Sequence, residues 1–196
     1  MTNDHYYSAA PESAHRYAEC AYAYRGETLR FMTDAGVFSK QHIDPGSEIL
    51  CKSLPELHGR VLDMGCGWGA MTVMTLSRFP SLEVTMADVN ERALDLAVRN
   101  VQKNSMQAKA VLSDGFANIE GEFDAVITNP PIRAGKAVIY QMFADAKAHL
   151  ADGGILVLVI RKQQGAPSAL KYLKELYAEA ETIERDGGYW VIACRK

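Results

Sequence analysis

The stretch Val61-Leu62-Asp63-Met64-Gly65-Cys66-Gly67-Trp68-Gly69 decides the fold. An apolar run of strand length ends on an acid, three alternating glycines follow, and helical spacing begins at residue 70 and runs to about 79. A buried strand, a glycine turn and a helix open a wound α/β sheet, which binds ligands beyond the carboxyl ends of its strands. Gly65 and Gly67 allow backbone to approach a ligand closely, and Gly69 allows the next helix to pack tightly. The GxGxxG phosphate fingerprint is absent because Ala70 follows Gly69 directly, and no Gly-Lys-Ser/Thr follows. GxGxG alone also makes a tight turn, and the strand before it and helix after it set this one apart. Glycines led by an acid and lacking a phosphate signature suit a ligand with a cationic centre and an ammonium group. S-adenosylmethionine is such a ligand.

Towards the C-terminus, short apolar runs alternate with helical segments. Strands are expected over 83–88, 108–114 and 124–129, and another over 154–160 follows a turn at Gly153-Gly154. Asn90 can cap a helix bearing Ala93, Leu94, Ala97, Val98 and Val101; further helices are expected over 136–150 and 168–178. Residues 181–185 and 189–195, joined at Asp186-Gly187-Gly188, predict an antiparallel hairpin. The expected architecture is doubly wound α/β: five β-α units and a terminal hairpin forming seven strands.

Three of these strands end on functional candidates besides Asp63. Asp88 can accept hydrogen bonds from both hydroxyls of a ribose, or simply cap the next helix. Asp114 can meet an adenine amino group, or open an ordinary Asp-Gly turn. Acids at three successive strand ends outweigh any one alone. Asn129-Pro130-Pro131-Ile132 ends the fourth strand, and its prolines force extended, stiff backbone. The Asn129 side-chain carbonyl, with the Asn129 or Pro130 backbone carbonyl, supplies two fixed acceptors. Two such acceptors can hold the hydrogens of a planar NH2 while its lone pair meets a methyl donor. Orientation and charge stabilisation then replace a strong base.

The first 57 residues follow another pattern. AECAYAY, Arg25-Gly26 and ETLRFMT alternate about a short turn as a hairpin, and Asp44-Pro45 begins a helix through Ile49, Leu50 and Leu54. The expected division is an extension over 1–57 packed on a domain over 58–196.

Composition narrows the function classes. With 48% hydrophobic and 23% charged residues, the chain is globular rather than disordered or fibrous. Its longest apolar run, residues 155–160, is strand-sized and too short to span a bilayer, and the N-terminus lacks the apolar core of a secretion signal. Cys20, Cys51, Cys66 and Cys194 form no CxxC pair, which suits a reducing cytoplasm. His5, His15, His42, His58 and His149 show no ligand spacing, so no metal site is expected, and the GxSxG of hydrolases is absent. Cys66 has no evident His partner and is read as a backbone contact. The net charge is −3, yet residues 133–174 hold seven basic and two acidic side chains. Within that stretch Arg133, Lys136, Arg161 and Lys162 adjoin motifs and are candidates to hold phosphate.

DMGCGWG, the acids closing the second and third strands, and ITNPPIRAGK resemble class I S-adenosylmethionine-dependent methyltransferases of the small-domain family. Among these the chain resembles the RsmC-type 16S rRNA guanine-N2 methyltransferases. HYYS, DAGVFSKQHIDPGS and RKQQGAPSA resemble short bacterial members, so the similarity covers nearly the whole chain. It implies a Rossmann-like seven-stranded sheet with S-adenosyl-L-methionine as cofactor. Asp63, Gly65, Cys66 and Gly67 would line the cofactor site, with Asp88 on the ribose and Asp114 near adenine. Asn129-Pro130-Pro131-Ile132 would be the amine-methylating loop, and Gly36-Val37-Phe38-Ser39 would cover the methionine end, Phe38 helping to enclose it. Many amino-methyltransferases carry an aromatic residue after the two prolines, whereas this chain has Ile132; Phe38, Tyr6 or Tyr7 could supply a ring instead. The expected activity is methylation of guanine N2 in 16S rRNA, free or in the small subunit, on a base unpaired or flipped from its helix. Adenine N6, a glutamine side-chain amide, and a non-catalytic cofactor-binding module for ribosome assembly are the alternatives.

Overall fold

The computed structural model describes residues 17–34 and 42–196. The chain enters through a hairpin of β1 (Ala18–Tyr24) and β2 (Glu27–Thr33). Arg25 and Gly26, at φ 51° and 85°, make the two-residue left-handed turn that matches strand twist. Helix α1 (Pro45–Ser53) follows, with Asp44 as its N-cap accepting from Ser47 N. The hairpin and this helix form as their sequence pattern predicts.

The main sheet then builds through β3 (Arg60–Met64), α2 (Ala70–Arg78), β4 (Glu83–Asp88), α3 (Glu91–Lys103), β5 (Lys109–Leu112) and β6 (Phe123–Thr128). It continues through α4 (Lys136–Ala148), β7 (Leu150–Arg161), α5 (Ala166–Leu176), β8 (Glu179–Asp186) and β9 (Tyr189–Arg195). The strand order is β5-β4-β3-β6-β7-β9-β8; β9 is antiparallel to both neighbours and the other pairs are parallel. Winding runs outward from β3 to β4 and β5, then returns to β6 on the other side. The reversal point therefore lies between β3 and β6.

Alternation along the strands supplies a core on each face. Val61, Met86, Ile127 and Val157 pack with α1, α2, α3 and the hairpin; Leu62, Val126, Leu156 and Leu158 pack with α4 and α5. Two asparagines on α3 bind the hairpin. Asn100 bonds both Met32 N and Met32 O, and Asn104 bonds both Arg30 N and Arg30 O, so the pair acts towards β2 like a neighbouring strand.

Three local expectations are corrected. Only four helices follow main-sheet strands, because the segment between β5 and β6 is a turn-rich loop. Ser113 Oγ donates to Gly115 O and accepts from Asn118 N, while Phe116 and Ile119 bury themselves against the α4 side of the sheet. These side-chain bonds satisfy the backbone that a helix would otherwise have paired. The same turn stops β5 at Leu112, leaving Asp114 beyond the strand. Finally, β7 starts at Leu150, before the glycine pair. Phe123 pairs with Leu150 and Ala125 with Ile155, so Gly153-Gly154 is a bulge inside the ladder.

Candidate active site

The glycine turn sits directly over the reversal point. Gly65 N and Cys66 N both donate to Ala87 O at the end of β4, at 2.8 and 3.0 Å. Gly65 and Gly67 adopt φ 74° and 55°, and a Cβ on either would meet no atom within 4 Å. Both glycines therefore border open space. Gly69 differs: a Cβ there would lie 2.9 Å from Ala97 Cα, so this glycine lets the turn close on α3.

Asp63 and Asp88 flank the turn from adjacent strands. Asp63 is fully buried, and its Oδ2 accepts from Thr72 Oγ1 at 2.6 Å. Its Oδ1 is buried with no hydrogen-bond partner among the described residues. Burial pushes this carboxyl up to about 7; the Thr72 hydroxyl opposes the rise and the Asp88 charge adds to it. Asp88 accepts from Gly67 N at 2.8 Å and from Asn90 N at 2.9 Å. Burial raises its pKa too, and the backbone amides of Asn90 and Gly67 counter that. Each carboxylate oxygen of Asp88 keeps a lone pair for a further donor.

The Asn-Pro-Pro segment leaves the sheet beside this turn. Asp63 pairs with Ile127 across β3 and β6, and Thr128 Oγ1 donates to Met64 O at 2.8 Å. Gly65 and Asn129 are thus the next residues of neighbouring parallel strands, about one strand spacing apart. The Asn129 NH2 donates to Asp44 Oδ2 at 2.9 Å and to Ser47 Oγ at 3.0 Å. Pro130 is buried, Pro131 and Ile132 are half-buried, and a single 3-10 turn over Ile132–Ala134 leads into α4.

The remaining candidates are less tightly grouped. Asp114 is exposed, on the far side of β4 from the glycine turn. The Cys66 thiol is buried against Gly67 O, and burial raises its pKa well above the ordinary thiol value, which disfavours the thiolate. Arg133 and Lys136 are exposed after β6, Lys136 over the Tyr140 ring at 4.9 Å. Arg161 covers the Tyr189 ring at 4.7 Å at the end of β7, and Lys162 beside it is exposed. Phe38, with the rest of Gly36-Val37-Phe38-Ser39, and Tyr6 and Tyr7 lie outside the described residues.

Sequence reasoning missed Thr72, Ser47 and the reach of Asp44. Asp44 carries a local signal as a helix cap, but nothing near it in the chain points to Asn129, 85 positions away. The orphaned Asp63 Oδ1 and the open space at Gly65 and Gly67 fit a cofactor that brings an ammonium donor and lies against bare backbone.

The family model of the methyltransferase small domain matches residues 28–193. The chain is 39% identical to YbxB of Bacillus subtilis, over 99% of each chain. It is 36% identical to ribosomal RNA small subunit methyltransferase C of Shewanella denitrificans, over 82% of this chain and 47% of that one. Among solved structures it is similar to T. thermophilus 16S rRNA N2 guanine methyltransferase RsmC in complex with AdoMet and guanosine. That match has a TM-score of 0.81 and 27% identity, and covers 96% of this chain and 52% of the other. The chain thus spans about half the length of the RsmC relatives it matches, and nearly all of YbxB.

Proposed function

The chain belongs to the methyltransferase small-domain family, and from that premise we propose that it methylates the exocyclic N2 of a guanine in 16S rRNA, using S-adenosylmethionine. The observation that carries this reading is the side-by-side exit of the glycine turn and the Asn-Pro-Pro segment, joined by the Thr128–Met64 hydrogen bond of 2.8 Å. A donor site and an acceptor ledge at the same strand tips are what amine methylation requires. The guanosine and AdoMet in the RsmC structure support the choice of base and cofactor.

In this reading Gly65, Cys66 and Gly67 offer backbone to the cofactor, Asp63 supplies a charge for its ammonium group, and Asp88 holds its ribose. Asp114 faces the adenine end. When bound, the cofactor supplies an electrophilic methyl group. Asn129 Oδ1 and a backbone carbonyl of Asn129 or Pro130 accept the two hydrogens of the guanine amine. They fix its plane, exclude the unproductive rotamers and stabilise positive charge on the nitrogen as transfer proceeds. The stiff Pro130-Pro131 pair keeps the acceptors in place, and Ile132 packs an aliphatic face on the base. Arg133, Lys136, Arg161 and Lys162 hold phosphates on either side. Residues 1–57 act as an extension whose helix α1 braces the ledge, with 58–196 as the methyltransferase domain. The compartment is the cytoplasm, where the rRNA is.

Methyl-labelled cofactor, incubated with small subunits or naked 16S rRNA from cells lacking the protein, tests this. Mass spectrometry of the digested nucleosides should find the label in N2-methylguanosine. Label in adenosine or in protein would replace the substrate, and label in neither would leave a cofactor-binding module. Asn129→Ala should abolish transfer while holding cofactor affinity within about twofold.

A further inference from the structure

The Asn129 carboxamide has two N–H hydrogens, and both are taken. Its Nδ2 stands 2.9 Å from Asp44 Oδ2 and 3.0 Å from Ser47 Oγ, while its Oδ1 accepts from none of the described residues. An ionised carboxylate can only accept, so the NH2 end must face Asp44, and the orientation of the amide is settled by chemistry. The cap of α1 explains only part of this arrangement. Asp44 Oδ2 accepts from Ser47 N at 3.0 Å, as a cap does, but the further bond to Asn129 crosses to another element and adds nothing to the cap. The first turn of α1 is itself wedged: a Cβ on Gly46 would sit 2.8 Å from Tyr189 Cε1 on β9. The two acceptors are therefore held by packing against the main sheet.

We infer that Asp44 and Ser47 are positioning residues for methyl transfer, clamping the Asn129 carboxamide so that it presents only its carbonyl to the amine substrate. The inference rests on the reading of Asn129 as the residue that holds that amine. Without the clamp the carboxamide can turn over and offer N–H to N–H, which repels the substrate that the carbonyl attracts. Because misplacement on this scale acts on the reacting geometry, the loss falls on kcat.

The test uses the whole chain. Asp44→Ser keeps a capping oxygen but is too short to reach Asn129, and Ser47→Ala removes the second acceptor. In protein labelled with 15N at asparagine, the carboxamide pair absent from the Asn129→Ala spectrum belongs to Asn129. In wild type this pair should be dispersed and slow to exchange, and in Asp44→Ser with Ser47→Ala it should collapse to the shifts of a free amide. The same double variant should lose about 10- to 100-fold in kcat on rRNA, with KM and cofactor Kd within about twofold. Asp44→Asn, which keeps an oxygen at the same place, should retain most of the rate. An Asn129 signal unmoved by the double variant overturns the clamp, as does a loss confined to KM. Should the double variant fold poorly, Ser47→Ala alone gives the same readings at smaller amplitude. If wild type methylates no rRNA, the substrate reading fails, while the carboxamide signal still decides the clamp.

Discussion

Asp63 places a carboxylate where water does not reach it, and the consequence is measurable. Its folded pKa of about 7 exceeds the ordinary 3.8, so between those values the folded chain keeps a proton that the unfolded chain releases. Stability from this group is full below about pH 4, falls as pH rises and is gone above about 7, a range on the order of a few kcal/mol. Denaturant melts across that window should slope downward in wild type and lie flatter in Asp63→Asn. In the proposed role Asp63 meets the ammonium group of the cofactor, which it can pair with only when ionised. On that proposal cofactor affinity should rise over the same window in wild type and not in the variant. The glycines separate along similar lines. Gly69→Ala puts a methyl 2.9 Å from Ala97 backbone at a positive φ, and denaturation should register a loss of about 1–3 kcal/mol. Gly65→Ala meets no neighbour and should lose about 1 kcal/mol from its left-handed backbone. Titration should show its larger cost in cofactor binding.

At the scale of elements, the join between the hairpin and the sheet depends on α3. Asn100 serves Met32 N, Met32 O and Trp68 O from one buried side chain. Asn100→Ala strands all three, so a loss of about 2–3 kcal/mol is expected, with faster amide exchange confined mainly to β2. Sequence periodicity marks the apolar face of α3 but treats two asparagines four residues apart as ordinary polar positions. Their role needs β2 alongside. The loop after β5 shows the same limit in reverse. Phe116 and Ile119 carry helical spacing, yet Ser113 and Asn118 bond the local backbone and no helix forms. Side-chain hydrogen bonds of this kind compete with secondary structure, and apolar spacing does not report them.

For the molecule as a whole, four of the seven basic side chains of residues 133–174 stand at one edge of the sheet. Arg133 and Lys136 follow β6, Arg161 ends β7 and Lys162 comes next, all at the carboxyl ends of parallel strands. Replacing Arg133 and Lys136 with Ala should weaken rRNA binding across sequences. The slope of log K against log salt should fall by about 0.7–0.9 for each phosphate that is no longer neutralised, with cofactor affinity unchanged. A weakening confined to one RNA sequence would instead assign these residues to base recognition.

Apolar strand runs, the glycine turn and the spacing of acids are enough to read a wound sheet and to put the glycine turn and the Asn-Pro-Pro segment at strand ends. Each is local: hydrophobic period and turn chemistry are written within a few neighbouring residues. Asp44 to Asn129, Thr72 to Asp63 and Asn100 to Met32 were decided only by the tertiary structure. These pairings join residues far apart in the chain or on separate elements, and a side chain's hydrogen-bond partners do not exist until packing brings the elements together.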